Sequence, residues 1–513
     1  MSRGSTQFKK ALIFIHRWMG VLFCLLFLSW FASGIVMMYW QYPQVSPDDR
    51  LSRAPALDAA RIRLSPQEAY GRLGGGGGAP SEARLVTFDG RPAYRFGFGD
   101  GSAIVYADNG EMPEEFPPEM TLRTASAWTG QPPGGAKEKD IAEEDQWTVS
   151  EEFADVRPLR KYSWADGEQV YISALTGDVV QYTTRGSRLA AWFGAIPHWL
   201  YFTPLRKRSQ QWARIVIWAS GLGTAAAILG ITVGLWMYSP SRSYRSGGAP
   251  ASFPYHGNKR WHAILGLLFG IFACTWAFSG MLSMDPFPQL QSGRGSGAGA
   301  RIAAALRQAP PLDAFSAKSP QEAIAQAKAS FGAAVKELEM TSFAGEPAYL
   351  GSFAPNETRV IPVQGQPAAE FDRAQIISVS RQAARPFAVT EARLVTEYEA
   401  YYLDRENRLP LPAIFVRLDD AGRSMYYIDP KTARIVQAYN SRSRWNRWLY
   451  HGLHSLNFPW LYKYRPAWDI VVIALLLGGG SLSVTALLLA WNVLWRKLAP
   501  WAAEADASNA AKS

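Results

Sequence analysis

His16-Arg17-Trp18-Met19-Gly20 opens an apolar run that the chain writes twice: residues 16–38 read HRWMGVLFCLLFLSWFASGIVMM and residues 262–284 read HAILGLLFGIFACTWAFSGMLSM. The offset is constant at 262 − 16 = 246. It lays His16 on His262, Gly20 on Gly266, Trp30 on Trp276, Ser33-Gly34 on Ser279-Gly280 and Met38 on Met284. A helix needs about 20 apolar residues to cross a bilayer. Four stretches qualify, roughly 11–39, 212–238, 262–284 and 467–495. Lys9 and Lys10 before the first suggest a signal peptide, but the run exceeds the ~7–15 residues of a signal h-region. Its twin lies mid-chain, so both are read as retained membrane helices.

Hydrophobic residues make up 48% of the 513 and charged ones 19%; a mean hydropathy of −0.11 averages very different segments. The net charge of +10 gathers at helix ends. Arg3, Lys9, Lys10 and Arg17 flank helix one, Arg242, Arg245, Lys259 and Arg260 lie between helices two and three, and Arg496-Lys497 follows helix four. Cationic loops stay on the cytoplasmic side. Both termini are then expected inside, and the long segments 40–190 and 285–445 outside. The positive charge reflects topology and anionic lipid, not nucleic acid. Trp18, Tyr39, Trp40, Trp212, Trp236, Tyr238, Trp468, Trp491 and Trp495 sit at the helix ends, as an aromatic belt does. Two cysteines, Cys24 and Cys274, lie inside helices at non-equivalent positions, so neither a disulfide nor a cysteine-ligated cluster is expected.

The duplication extends outward. Ser65-Pro-Gln-Glu-Ala69 recurs as Ser319-Pro-Gln-Glu-Ala323, each a helix start with Ser as N-cap and Pro in the first turn. Phe88-Asp-Gly-Arg-Pro-Ala-Tyr94 recurs as Phe343-Ala-Gly-Glu-Pro-Ala-Tyr349, a hairpin signal. Strand, turn and strand are expected around Thr176-Gly-Asp178 and again over Met425–Gln437. Each outer segment reads as an α+β domain. The glycine run 74–78 and the segment 291–300 read as loops, as does the charged stretch 130–145. A third block repeats at an offset of 256: Trp192 falls on Trp448, His198 on His454, Phe202 on Phe458, Lys207 on Lys463 and Trp212 on Trp468.

The expected fold is an α-helical four-helix membrane bundle with two outer α+β domains, built as two parallel repeats about an axis along the membrane normal. Helix one lies in 1–44, an outer domain in 45–188, and a surface helix with helix two in 189–240. An inner loop spans 241–260 and helix three 261–284. A second outer domain spans 285–443, a surface helix with helix four 444–497, and an inner tail 498–513.

Of six histidines, four pair across the repeat: His16 with His262 near the inner face, His198 with His454 near the outer one. One histidine at a membrane interface is an ordinary amphipathic anchor. A symmetric pair at each face is harder to explain so. Two imidazoles facing across an axis suit a haem bound from both sides, with neutral His as axial ligand, in a helix-bundle core. Two histidines alone are a poor zinc site, which takes four ligands. Two haem b groups are expected. Gly20 and Gly266, one turn beyond their histidines, would let a flat macrocycle approach the backbone or would serve helix packing. Arg17, Lys259 and Arg260 inside, with Arg206, Lys207, Lys463 and Arg465 outside, are candidates to hold propionates. His451 has no counterpart, since 451 − 256 = 195 is Ala195, but lies one turn before His454 and is an alternative outer ligand. His256 reads as incidental.

The His-Arg-Trp-x-Gly opening, the Ser-Gly later in helix one, the strands around Thr176-Gly-Asp-Val and the Leu-His element before the last helix resemble the PepSY-associated transmembrane family. The resemblance covers nearly the whole chain. It implies a bacterial inner-membrane protein linked to iron uptake, with PepSY-like domains in the periplasm. It further implies a haem-dependent oxidoreductase that reduces a ferric siderophore or other ferric chelate and so releases iron. No GxGxxG in a βαβ context is present, so electrons would come from a cytoplasmic or membrane donor. The competing expectation is a non-catalytic PepSY sensor or protease-regulating module merely anchored by its helices. A transporter is disfavoured because no helix is interrupted mid-membrane.

Overall fold

The computed structural model describes residues 3–74, 79–99, 101–141, 143–246, 248–286, 297–309 and 311–510, with backbone alone for 3–5, 246 and 497–510. Most of the glycine run 74–78 and of the segment 291–300 lies outside the described residues. The chain divides into two compact units. One holds Met1–Tyr42, Gly186–Pro288 and Asn446–Ser513; the other holds Pro43–Arg185 and Gln289–Trp445.

The first unit is a bundle of four long helices, Arg3–Met37, Ser209–Met237, Gly257–Leu282 and Arg465–Ala510. Their apolar spans are Thr6–Met37, Ser209–Met237, Gly257–Leu282 and Arg465–Arg496, matching the four expected crossings. The fourth helix does not stop at an inner tail from 498; its backbone hydrogen bonding carries it to Ala510. Helices one and three each pack on helices two and four, which puts one and three diagonally opposite. Outward-facing residues are apolar: Leu22 is 71% exposed, Leu268 60%, Trp218 67% and Ile470 67%. In water such a surface would be an association site; in lipid it is the required solvent contact. Inside, Gly478 and Gly479 leave room on helix four for Phe269 and Phe31, which any Cβ there would strike. Small residues at a helix contact serve this purpose in membranes, where close packing drives association.

The second unit is built on a sheet that crosses both outer segments. Glu82–Phe88, Arg91–Phe98 and Gly101–Tyr106 form one antiparallel meander; Glu337–Phe343, Glu346–Ala354 and Glu357–Pro362 form the other. They join edge to edge, Ala83 opposite Met340, Arg84 opposite Glu339 and Leu85 opposite Leu338. Phe88 and Phe343 differ by 255, and 84 + 255 = 339, so Arg84 faces its own counterpart and a local twofold axis passes through that pair. The two expected outer domains thus share one sheet: each meander alone would leave an open strand edge, and each closes the other's. One core of Leu85, Tyr94, Phe96, Leu338, Tyr349 and Ile361 lies across the junction.

Local signals appear where expected. Ser65 and Ser319 each cap a helix with a full capping box, to Glu68 and Glu322. The hairpins turn at Asp89-Gly90 and Ala344-Gly345, all with positive φ. Beyond this sheet lie two four-stranded sheets, one over Lys137–Thr183 and one over Val389–Tyr439. Part of the stretch read as a charged loop is a strand here, Lys137–Ile141, paired with Leu159–Ser163. Four of its five residues are exposed, so it carries no alternation, and its conformation comes from its neighbour.

Candidate functional site

Both histidine pairs form inside the helical unit. The rings of His16 and His262 have centroids 6.3 Å apart and planes at 33°. Those of His198 and His454 are 6.0 Å apart at 76°. A metal–imidazole bond of about 2.0 Å, with the ring nitrogen about 1.1 Å from its centroid, puts two imidazoles on one metal about 6 Å apart. Both pairs have that spacing.

The proton on each ring follows from its partners. His16 Nδ1 lies 3.2 Å from the Ala226 carbonyl, which can only accept. His262 Nδ1 lies 3.0 Å from Thr485 Oγ1, whose own proton goes to Leu482 O at 2.7 Å. His198 Nδ1 lies 3.0 Å from Ser33 Oγ, which donates to Ser29 O at 2.6 Å. His454 Nδ1 lies 3.0 Å from Ser279 Oγ, which donates to Trp276 O at 3.1 Å. Each hydroxyl spends its one proton on a carbonyl and accepts from the imidazole. The assignment that lets every hydroxyl keep its carbonyl puts the proton on Nδ1 of all four rings and leaves the Nε2 lone pair. A ligating histidine is oriented in just this way, by a hydrogen bond from its other nitrogen.

The outer pair is not carried on plain surface helices. His198 lies on Ala195–Trp199, packed on membrane helix one; His454 lies in Leu453–Ser455, after a π-helical turn Arg447–Gly452, packed on helix three. Leu200 and Leu456, 256 apart, end these turns in the left-handed region at φ 53° and 47°. That costs a non-glycine residue roughly 1–2 kcal/mol. The turn is held by Trp212 Nε1 donating to Trp199 O at 2.8 Å and by Trp468 Nε1 donating to Ser455 O at 3.0 Å. The π-turn and left-handed leucines are the backbone strain that collects at functional sites.

The glycines play distinct parts. A Cβ on Gly20 would meet nothing within 4 Å, and one on Gly266 only Leu482 at 3.9 Å, so space is open beside both. On Gly34 and Gly280 it would lie 3.8 Å from Cε1 of His198 and His454, so the repeated Ser-Gly both bonds the ring and lies against it. On Gly230 it would come within 2.7 Å of His16 Cε1, so a side chain there would push the imidazole from its place.

Five of the basic candidates, Arg17, Lys259, Arg260, Lys207 and Lys463, are exposed. Arg206 is buried, its guanidinium over the rings of Tyr201 and Trp212 at 5.2 and 4.7 Å. Its Nε and Nη1 have no hydrogen-bond partner among the described residues; nor do the buried indole nitrogens of Trp30 and Trp276. His451 is exposed and packs on Tyr450 at 4.8 Å; it is His454 that faces His198. Ser33, Ser279, Trp212, Trp468 and Gly230 were not read as site residues. All but Gly230 stand in the repeated blocks, and that repetition was the available signal.

No group of three or more His, Cys, Asp or Glu side chains is placed to hold a metal among the described residues. A metal held by one imidazole pair would have to take its other ligands from outside the chain.

Fold and site together define a membrane protein with a four-helix bundle, paired histidines in the helical unit and a separate β-rich unit. The chain belongs to the PepSY-associated TM region family, which it matches over residues 13–492. No curated protein matches it.

Proposed function

We propose that this is a bacterial inner-membrane haem protein that passes electrons outward through its bundle to a periplasmic ferric chelate such as a ferric siderophore. The observation that carries the reading is the four-imidazole arrangement: two pairs at bis-ligand spacing, every Nδ1 bonded and, among the described residues, no hydrogen bond to any Nε2. A macrocycle with four in-plane nitrogens supplies the ligands each pair lacks, and haem accepts neutral His on both faces. The open space beside Gly20 and Gly266 admits a flat ring. Arg206 offers two buried donors to a propionate.

Two such groups are needed. Ser33 holds the outer pair and His16 belongs to the inner one; 17 helical residues at about 1.5 Å each separate them by about 25 Å. His262 and Ser279 repeat that spacing. Bound haem supplies one-electron chemistry. The chain's part is to fix ligand orientation through Ser33, Ser279, Thr485 and the Ala226 carbonyl, and to keep the imidazoles neutral in a dry bundle. The reductant is a cytoplasmic or membrane donor. The oxidant is Fe(III), whose hard oxygen chelators hold Fe(II) less tightly, so reduction releases iron.

The two-copy plan supports the reading: offsets of 246, 255 and 256 relate the helices, the PepSY-like outer segments and the outer histidine blocks. Both copies begin on the cytoplasmic side, with termini inside and the sheet-bearing unit in the periplasm, as the cationic helix flanks require. The test is to purify the protein, record a Soret band, reduce it without oxygen and add ferric chelates. Reoxidation with Fe(II) appearing in a ferrozine-type trap is expected. A colourless protein, or haem that stays reduced with every chelate tried, overturns the proposal in favour of a sensor role.

A further inference from the structure

The two halves of the sheet-bearing unit differ at one place that the histidine chemistry does not use. In the first half Asp178 takes both guanidinium nitrogens of Arg95, at 2.6 and 2.7 Å, and the pair is closed. The second half replaces both partners. At an offset of 256 Asp178 becomes Arg434; at 255 Arg95 becomes Leu350. Arg434 turns instead to Glu339 on the twofold axis, with Nη2 2.9 and 3.2 Å from its two oxygens. The helix Ala298–Leu306, anchored by fully buried Ala298, Ile302 and Leu306, then brings a second guanidinium to that carboxylate. Arg307 bonds Glu339 through Nη2 and Thr341 Oγ1 through Nε at 3.2 Å.

Two guanidiniums thus share one largely buried carboxylate, whose side chain is 13% exposed. Glu82, at the rim, is engaged by Arg84 Nε at 2.7 Å and lies 3.6 Å from Arg434. Arg307 Nη1 is buried and has no acceptor among the described residues. Glu82, Arg307, Gln308, Glu339, Thr341 and Arg434 line a cavity of about 490 Å³. That size falls within the range of small-molecule sites, and a few convergent polar groups are their usual lining. A buried donor without a partner is costly, and guanidinium geometry matches a planar oxyanion.

We infer that this cavity binds a small organic carboxylate, whose oxygens accept from the edge of Arg434 that Glu339 leaves unused and, once its side chain turns toward the ligand, from Arg307 Nη1. The site lies wholly in the sheet-bearing unit and does not depend on the haem proposal. Carboxylate selects this cavity over the symmetry-related place because there the Asp178–Arg95 pair already closes the donors. The test is calorimetry on the full-length protein in detergent, titrated with citrate and, separately, with inorganic phosphate. Two variants accompany it. Arg307→Gln removes the donor. Ala303→Trp, at an exposed helical position on the cavity wall, adds bulk there while leaving every charged residue in the sequence unchanged. Saturable citrate binding, weakened tenfold or more in both variants with unchanged circular dichroism, is expected. Should Arg307→Gln misfold, Ala303→Trp alone decides. Absence of saturable citrate binding to the wild type, citrate affinity unaltered in Ala303→Trp, or phosphate bound more tightly than citrate overturns the inference.

Discussion

Replacing Ser33 with alanine takes one oxygen out of the bundle and leaves the Nδ1–H of His198 without its acceptor. Ser33 is 1% exposed, so water does not replace the hydroxyl. An unsatisfied buried donor costs about 1–3 kcal/mol. Part of that is a loss of orientation, since the imidazole turns to find another partner and Nε2 leaves the axis it shares with His454. Changing the outer partner of a ligating histidine typically weakens its metal site 10–100-fold. Ser33→Ala and Ser279→Ala are therefore expected to lower haem occupancy at the outer site by that range and to alter its low-spin electron paramagnetic resonance signal. The inner signal, set by His16 and His262, should remain. Because Ser33 and Ser279 would serve opposite faces of one metal under the proposed function, their effects should be non-additive in a double-mutant cycle. The assay is haem titration of protein purified without haem, followed at the Soret band. If His198→Ala removes the outer signal and Ser33→Ala leaves both signal and affinity unchanged, the hydrogen bond does not orient the ring and the tautomer argument fails.

Gly230→Ala puts a methyl 2.7 Å from His16 Cε1 and should disturb the inner signal alone; an unchanged inner spectrum would show that the ring does not rest there. His16→Ala and His262→Ala should each abolish the inner low-spin species, whereas His451→Ala should leave both species intact; loss of the outer signal in His451→Ala would reassign the ligand. In the sheet-bearing unit, burial pulls the Glu339 carboxyl upward, but Arg307, Arg434 and Arg84 outweigh it and hold it below the usual range. A depressed folded value means that its contribution is complete above the unfolded value of about 4.3 and is lost as pH falls through the folded one. Thermal melts of Glu339→Gln should therefore show a shallower acid limb than wild type, and parallel limbs would count against the ion cluster. Reporters active only in the periplasm should work fused near residue 120 or 370 and fail near 248; activity at 248 reverses the topology.

Much of this protein is legible in the sequence because its signals are local or repeated. The membrane helices follow from apolar length, the capping boxes from Ser65 and Ser319, the hairpins from their turn residues, and the two histidine pairs from constant offsets. Those offsets say which residues are equivalent but not which atoms meet. Whether His451 or His454 faces His198 depended on a π-turn and a left-handed leucine that no propensity predicts, because tertiary contacts from Trp212 and Trp468 hold them. The tautomers depended on hydroxyls 165 and 175 residues away from His198 and His454. The strand Lys137–Ile141 is set by its neighbour and not by its own side chains. The pairing of Arg84 with Glu339, which makes one sheet of two outer segments, is a contact between strand edges, and an edge carries no sequence pattern of its own. The sequence alone determined the crossings, the duplication and the four imidazoles. Only the tertiary structure decided which nitrogen each imidazole keeps free, because that depends on a hydrogen-bond partner far away in the chain.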